Sequence, residues 1–470
     1  MLFYMIFFFT FSISLLIANI YCFAKKKYLY LFIPCMLFLP EYYGIEFSES
    51  LPLLTVARMM FIVFYIYTFI NRRRNINLKG ICLKKLPKEY YFLGGYFIFR
   101  IISNLYYVTT YSDAIKTIFE IIFEQLLLLI ALYLLAPTKE EIITTIKAVV
   151  WSATTLFAIG IFESFTFIRP FDALYTVSRY MLNSYYVRLG LLRSVTTMGL
   201  ANFYGNMCLL VTPLIFYLHK TTRQKRYLVV LFLDVLAIIH SGCRSDMIFF
   251  IIISTIYLIM IFKEKDAFSS ALKSGAIVLC TIAMWIAIMC SISERYNYYY
   301  VGTGKSLLNT VGFDFDLDEG APEGVDGYGT NESAATYSRI FQLSGIKYAL
   351  SINPLFGLGS GAQSRGDIQY VFKDKIYHTN TIDMGIVEIL VTEGLIGILG
   401  FVSLSALFSY NVLKTHKKSR LPEYNKEVKF KLLFLTTYIL CMLGTSNMYP
   451  WLTLIVISFM DIQSVQRVGS

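Results

Sequence analysis

The chain has 470 residues, of which 56% are hydrophobic and only 16% are charged, and its formal net charge is +11. Soluble proteins average about 45–50% apolar and about 25% charged residues, so the composition excludes an ordinary soluble domain. The apolar residues form runs long enough to cross a bilayer, which takes roughly 20 residues as a helix. The basic residues cluster in short loops between these runs, which is typical of membrane topology and not of nucleic-acid binding.

Five basic loops set the predicted orientation. They lie at 25–27, 71–75, 219–226, 263–273 and 414–420, and the excess of lysine and arginine places them in the cytoplasm. We predict an all-α, polytopic integral membrane protein with about 12–14 transmembrane helices and two external loop regions. The predicted spans lie near 2–23, 28–41, 51–70, 89–107, 114–136, 142–165, 196–218, 227–241, 245–262, 274–293, 382–413, 432–449 and 451–465.

This topology divides the chain into five regions, listed here in chain order. They are N-terminal helices (1–165), a first external loop (166–195), central helices (196–293), a large external loop (294–378) and C-terminal helices (379–470). The first loop is dense in arginine and tyrosine. The second opens with an acidic, glycine-rich stretch and continues at 332–354 as a predicted amphipathic helix on the membrane surface.

The eight cysteines are scattered, lie mostly inside apolar runs and form no CxxC pair. A disulfide framework or a zinc site is therefore not predicted. We expect no metal and no cofactor.

Three of the arginines in the predicted external loops stand out, because the positive-inside bias disfavours arginine there. Arg188 and Arg193 belong to the first loop and Arg339 to the second. A guanidinium group grips phosphate oxygens through two hydrogen bonds and keeps its charge at any working pH. These residues are candidates for binding an anion, and the alternative is that they snorkel to the interface or pair with acidic side chains.

A histidine precedes the long apolar segment near the C-terminus. Asn380 is placed to cap the following helix, with Asp383 three residues later. His378 would then lie just outside a helix N-terminus, whose positive end favours a neutral ring that accepts a proton. The alternative is a histidine hydrogen-bonded to loop backbone. Glu388 lies within three helical turns of His378 and could line the same site.

Charged residues inside the apolar runs need partners, because each is costly alone in hydrocarbon. Glu120 and Glu124 lie one turn apart on one helix face. Arg58 and Arg100 occur in spans that could pack against them. We predict a structural or channel-lining cluster, with a proton relay as the alternative.

Four stretches occur in a recognisable order: RLGLLRSVTTMG, SGCR, NPLFGLGSG and HTNTIDMGIVEILVTEGLIG. Together they resemble the bacterial O-antigen polymerase and O-antigen ligase superfamily of membrane glycosyltransferases. The family's serine- and arginine-containing turn is matched at 241–244, and the spacing from Arg188 to Gly199 also fits. Its later motifs are matched by Pro354, Gly357, Gly359, His378, Glu393, Gly394 and Gly397, although Thr379 separates the family's adjacent His-Asn pair.

The resemblance implies polymerisation of polyprenyl-pyrophosphate-linked oligosaccharide repeats of a surface polysaccharide, an O-antigen or a capsule. The enzyme would be a multi-pass protein of the bacterial inner membrane, with its active site facing the periplasm or cell exterior. His378 would deprotonate the acceptor hydroxyl. The pyrophosphate and the rest of the substrate would be held by Arg188, Arg193, Arg339, Arg244, Asn380 and Glu388.

Two alternatives remain open. One is an O-antigen ligase, which transfers the finished glycan to an acceptor; the richness in Lys, Ile, Tyr, Phe and Asn indicates an AT-rich gene, which favours the polymerase. The other is a flippase for the same lipid-linked sugars, whose signature would be discontinuous helices and small external loops. The expected partners are the lipid-linked glycan, membrane lipids and a chain-length regulator, with no nucleic acid.

Overall fold

The chain folds into a bundle of helices. A computed structural model describes residues 2–48, 52–71, 88–175, 186–310, 312–323, 325, 339–372, 374–379, 382–418, 422–444 and 450–452. The helices of the first half are α1 (Leu2–Ala24), α2 (Phe32–Phe38), α3 (Val56–Ile70), α4 (Lys88–Leu105), α5 (Ser112–Glu120), α6 (Leu127–Leu135) and α7 (Lys139–Thr166). Those of the second half are α8 (Ala201–Thr222), α9 (Arg226–His240), α10 (Arg244–Ile261), α11 (Lys265–Ile292), α12 (Glu294–Thr310), α13 (Arg339–Ile352), α14 (Ala362–Arg365), α15 (Gly385–Lys418) and α16 (Pro422–Gly444).

Within these residues, seven helical stretches are long and apolar enough to cross a membrane. They are Ile6–Ala24, Ser112–Leu135, Lys139–Thr166, Ala201–Thr222, Arg244–Ile261, Lys265–Ile292 and Gly385–Ala406. The prediction of a mostly helical chain with multiple apolar spans is confirmed, and the full count of 12–14 stays a prediction. The predicted span at 28–41 is wrong, because it holds only the seven-residue α2, whose side chains are mostly buried in the protein.

In the part of the chain that the structure describes, three short antiparallel hairpins add β-structure to the predicted all-α fold. The first pairs β1 (Gly44–Ile45) with β2 (Leu54–Thr55), and the second pairs β3 (Val187–Arg188) with β4 (Leu191–Leu192). The third pairs β5 (Ile368–Phe372) with β6 (Lys375–Thr379). The last two lie in the segments predicted as external loops, and each carries a candidate site residue.

The centre of the bundle is α8, which is almost completely buried and contacts α7, α9 and α16. Its core side chains pack with those of the surrounding helices into one large apolar cluster. Small and polar residues such as Gly205 and Asn206 on this helix allow close approach of its neighbours, as is common where helices pack inside a membrane.

The four charged residues that the sequence singled out in the apolar runs all have ionic partners. Arg58 donates to Glu120 and to Glu124, each at 2.6 Å, which confirms the predicted pairing for this arginine. Arg100 instead pairs with Glu393 at 2.7 Å, and both side chains are almost fully buried. Two buried ions that face each other avoid the cost of a lone charge in a low-dielectric interior.

Helix α15 is broken at Gly394, which has φ +65° and ψ −156°, a conformation open essentially only to glycine. The break frees backbone groups that the segment 354–359 satisfies. Leu358 N–H and Gly359 N–H donate to carbonyls before the break, at 2.8 and 3.0 Å, and Leu395 N–H after the break donates to Pro354 O at 3.0 Å. The two glycine-containing motifs noted in the sequence thus form a single structural joint.

Candidate functional site: an arginine cluster and an exposed histidine

The hairpin β3–β4 holds the first pair of candidate arginines. Its two-residue turn consists of Leu189 and Gly190, whose φ angles of +51° and +84° are those of the turn that matches the twist of an antiparallel hairpin. Leu189 is only 2% exposed and packs with Tyr298, Tyr299 and Tyr300 of α12. The buried leucine anchors the hairpin although glycine or asparagine is the usual residue there.

The side chains of Arg188 and Arg193 converge on the turn that joins α9 to α10. Arg188 Nη1 donates to Gly242 O. Arg193 Nε donates to Ser241 O at 2.9 Å, and its Nη2 donates to Asn202 Oδ1 at 3.0 Å. A methyl group built on Gly242 would lie 3.2 Å from Arg193 Nε and 3.4 Å from Arg188 Cδ, so both arginines cover this one glycine.

The acceptors around Arg193 are neutral. Besides the carbonyl and the amide, Nη2 contacts Cys243 Sγ at 2.9 Å. Burial raises the pKa of the Cys243 thiol, although Arg193 opposes this shift, and the protonated thiol donates to Asn202 Oδ1 at 3.0 Å. Among the described residues Arg193 therefore hydrogen-bonds only neutral groups, and the nearby Asp246 attracts it without a hydrogen bond. Its guanidinium group can still bond an anion.

Arg244, another of the four arginines predicted to bind the pyrophosphate, lies at the first position of α10, directly after the turn covered by Arg188 and Arg193. The same first turn of the helix contains Asp246, which is almost fully buried. The local charge of the three arginines and this aspartate remains positive. The structure therefore brings Arg188, Arg193 and Arg244 together around residues 241–244.

Glu163, near the end of α7, fixes the segment that follows the hairpin. Its Oε2 accepts hydrogen bonds from the backbone N–H groups of Val195 and Thr196, at 3.1 and 2.9 Å. The side chain is fully buried. Sequence reasoning missed this residue, and its signal was a carboxylate at the end of an otherwise apolar helix, which demands a partner.

His240 and Ser164 fix the other wall of the site. His240 Nδ1 lies 2.9 Å from Ser164 Oγ, and its Nε2 lies 3.0 Å from Tyr300 Oη. The Trp285 indole N–H donates to the same tyrosine oxygen at 3.1 Å, and His240 O accepts from Ser194 N–H at 3.1 Å. Both ring nitrogens are occupied and the ring is fully buried, so His240 is a structural group here.

His378 does not lie beside a helix N-terminus, as the sequence predicted. It lies in strand β6 opposite Gln369, and the next helix begins only at Gly385. The ring is exposed, and its Nδ1 lies 3.2 Å from Gly366 O. The alternative interpretation, a histidine bound to loop backbone, matches the geometry better. The prediction failed because Asn380 was taken as the N-cap, four residues before the position that precedes Gly385.

Two of the predicted site residues lie at the limits of what the structure describes. Asn380 is outside the described residues. Arg339 is the first residue of α13, and its side chain is also outside the described part. Asp383 exchanges two hydrogen bonds with Gln342, at 3.0 and 3.1 Å, instead of completing a capping box.

Glu388 is connected to the same segment as His378, the one around Gly366, and not to the arginine cluster. Its Oε1 accepts from Gln363 Nε2 at 3.1 Å, and Gln363 lies on the short helix α14, immediately before Gly366. The hairpin β5–β6 contacts α13, whereas β3–β4 contacts α7 and α12. The predicted site residues thus form two groups, an arginine cluster and a histidine group, held by different elements.

The arginine cluster can bind a phosphate-type anion, and the exposed imidazole can accept a proton. No group of three or more His, Cys, Asp or Glu side chains arranged to hold a metal ion occurs in the described part of the chain. No protein-family model matches the chain, and no curated protein matches it. Fold and site therefore define a mostly helical protein of the multi-pass membrane class with a cationic cluster at one end of its bundle.

Proposed function

We propose that the protein is a membrane glycosyltransferase that polymerises polyprenyl-pyrophosphate-linked oligosaccharide repeat units of a surface polysaccharide. Its site would face the periplasm or cell exterior, on the outer leaflet of the bacterial inner membrane. The observation that carries the proposal is the convergence of Arg188 and Arg193 on Gly242, in an apolar helical protein and in the sequence order of the family it resembles.

The arginine cluster supplies what a lipid-pyrophosphate donor requires. When the glycosidic bond to the pyrophosphate breaks, negative charge develops on the departing oxygen. Preorganised cationic donors stabilise such charge more than they stabilise the ground state. Arg193, whose described hydrogen-bond partners are all neutral, can turn toward that charge without breaking a hydrogen-bonded ion pair.

His378 supplies the base in this proposal. If Nδ1–H donates to Gly366 O, the lone pair of Nε2 is left to accept a proton. The acceptor hydroxyl oxygen attacks the anomeric carbon of the donor glycan and forms the new glycosidic bond. The bond from that carbon to the pyrophosphate oxygen breaks, the proton passes to Nε2, and polyprenyl pyrophosphate leaves between the arginines.

Surface and carrier-linked glycans of a strain lacking this gene test the proposal. We expect single repeat units to reach the surface while long chains vanish, and the wild-type gene supplied in trans should restore them. Long chains that accumulate on the carrier without being transferred would instead identify a ligase. Unchanged long chains would refute both activities.

A flippase for lipid-linked sugars is the second candidate, because α15 is broken at Gly394, near the middle of the span Gly385–Ala406. Broken helices expose helix ends to substrate in many transporters. Here the freed backbone groups are bonded by residues 354–359 of the same chain, which favours a structural joint. Repeat units trapped on the cytoplasmic leaflet of the deletion strain would establish the flippase.

A further inference from the structure

A cavity of about 150 Å³ lies between α3 and the helix that begins at Ser112, apart from both groups of site residues. A single water needs roughly 10–15 Å³ of such volume, so this cavity has room for a small organic group. Phe61 and Leu39 form part of its apolar wall. The polar side is built from carboxylates, an amide, the guanidinium of Arg58 and the ammonium of Lys116.

The carboxylates around Arg58 keep acceptor capacity for a ligand. Arg58 donates a hydrogen bond to one oxygen, Oε1, of Glu120 and to one oxygen, Oε1, of Glu124. Its Nη1 donates to Leu53 O at 2.6 Å. The second oxygen of each carboxylate has no hydrogen bond among the described residues, and both side chains line the cavity together with Glu41. The carboxylates of Glu120 and Glu124 therefore each keep an oxygen whose lone pairs can accept hydrogen bonds from a ligand in the cavity.

Gln125 is the least expected residue in this wall. It lines the cavity, is only 8% exposed, and its side-chain amide makes no hydrogen bond within the described part of the chain. Its amide atoms are not among the fully buried atoms without a partner, so they face the space of the cavity. A ligand in the cavity can bond this amide in place of water.

The helix that contains Gln125 departs from regular α-helical geometry beside the cavity. Residues Ile121–Leu126 form a π-helical turn between α5 and α6, and such turns occur frequently at functional sites. Tyr65 Oη donates to Phe123 O at 2.5 Å and so supports the turn. The π turn places Glu124 and Gln125 in the same wall as Glu120.

We propose that this cavity binds a hydroxyl-bearing sugar unit of the glycan, as a subsite of the proposed polymerase, on which this inference rests. Each sugar hydroxyl both donates and accepts, which matches a wall made of carboxylate, amide and guanidinium groups, while an apolar ring such as that of Phe61 covers the C–H face. The competing occupant is a small cation, attracted by Glu41, Glu120 and Glu124.

The test uses the repeat-unit oligosaccharide freed from its lipid pyrophosphate by mild acid, so that the arginine cluster contributes nothing to binding. Calorimetry on the purified full chain in nanodiscs should show binding that Gln125→Met weakens about fivefold through the loss of one hydrogen bond. Methionine has a similar shape, so the fold is retained. Gln224→Met, at an exposed loop position, is the matched control and should bind as the wild type.

Glu120→Gln separates the two occupants. An amide still bonds a hydroxyl, so sugar binding should change by less than about twofold, whereas binding of Na⁺, titrated against choline chloride, would be lost with the charge. Oligosaccharide binding that is absent in the wild type or unaffected by Gln125→Met would overturn the subsite. Sodium binding abolished by Glu120→Gln would reassign the cavity to a cation.

The deletion strain keeps the two proposals distinguishable. If long chains vanish without the gene but Gln125→Met binds the oligosaccharide normally, the proposed subsite is refuted and the proposed polymerase activity is supported. If long chains persist without the gene while Gln125→Met still weakens binding, the polymerase falls and the sugar site stands.

Discussion

The two hairpins that carry candidate site residues differ in how they are held. The hairpin β3–β4 is fixed from both sides, by the buried Leu189 and by Glu163 through the segment that follows it. The hairpin β5–β6 packs on α13 with Ile368 and Tyr370 almost fully buried, but it presents the ring of His378 to solvent, where Nδ1 contacts only Gly366 O among the described residues. An anion-binding group benefits from rigid preorganisation, whereas an exposed base stays accessible to an acceptor. Substitutions should therefore affect activity and stability differently in the two hairpins.

The largest expected effect on activity comes from the hairpin with the exposed side chain. His378→Ala should lower the polymerisation rate by about 10²–10⁴-fold, because it removes the proposed general base. Its exposed ring contributes little to packing, so the melting temperature of the purified protein should not change. Initial rates with lipid-linked repeat units, measured beside the melting curve, test this. A fall in melting temperature with no change in rate would show that His378 stabilises the fold and is not the base.

Arg193→Lys should reduce the rate by about 10²-fold, since an ammonium group cannot reproduce the fork of hydrogen bonds that stabilises a leaving pyrophosphate. Arg223→Lys, the same substitution at the exposed end of α8, is the control and should leave the rate unchanged. Rates that fall equally in both variants would show a general effect of charge rather than a site.

Glu163→Gln should affect rate and stability together. The substitution removes the charge that accepts two backbone N–H groups, and it should cost about 2 kcal/mol of unfolding free energy and lower the rate by roughly tenfold as the arginine segment loosens. Glu319→Gln, at an exposed position in the second loop, is the comparison. A variant with normal stability and normal rate would show that the anchor is dispensable.

The smallest effects should come from the two hairpin turns. Gly190→Ala places a side chain at φ +84°, with its methyl 3.2 Å from Arg295 Cγ and Val325 Cγ1, and should cost about 1 kcal/mol. Asp374→Gly, at φ +58° in the other turn, should change stability by less than about 0.5 kcal/mol. The melting temperatures of the two variants test this prediction. Equal shifts from the wild-type value would mean that both turns are equally constrained.

The sequence predicted the arginine cluster better than the histidine group, for a physical reason. Residues 241–244 form a turn between two apolar helices, and hydropathy locates such a turn directly. His378 depended on where a helix begins, which a cap residue predicts only when no strand competes. Residues 375–379 form a strand instead, which pairs with 368–372. Such pairing depends on tertiary contacts more than on local propensity.

By itself, the sequence determined the class of the fold and the residues able to pair with Arg58, because apolar length and buried charge carry energies that are largely local. Only the tertiary structure decided that Arg100 pairs with Glu393, 293 positions along the chain, that Glu163 holds the arginine segment, and that Gln125 faces a cavity. Those outcomes depend on which helices become neighbours, and that is settled by packing of the whole bundle.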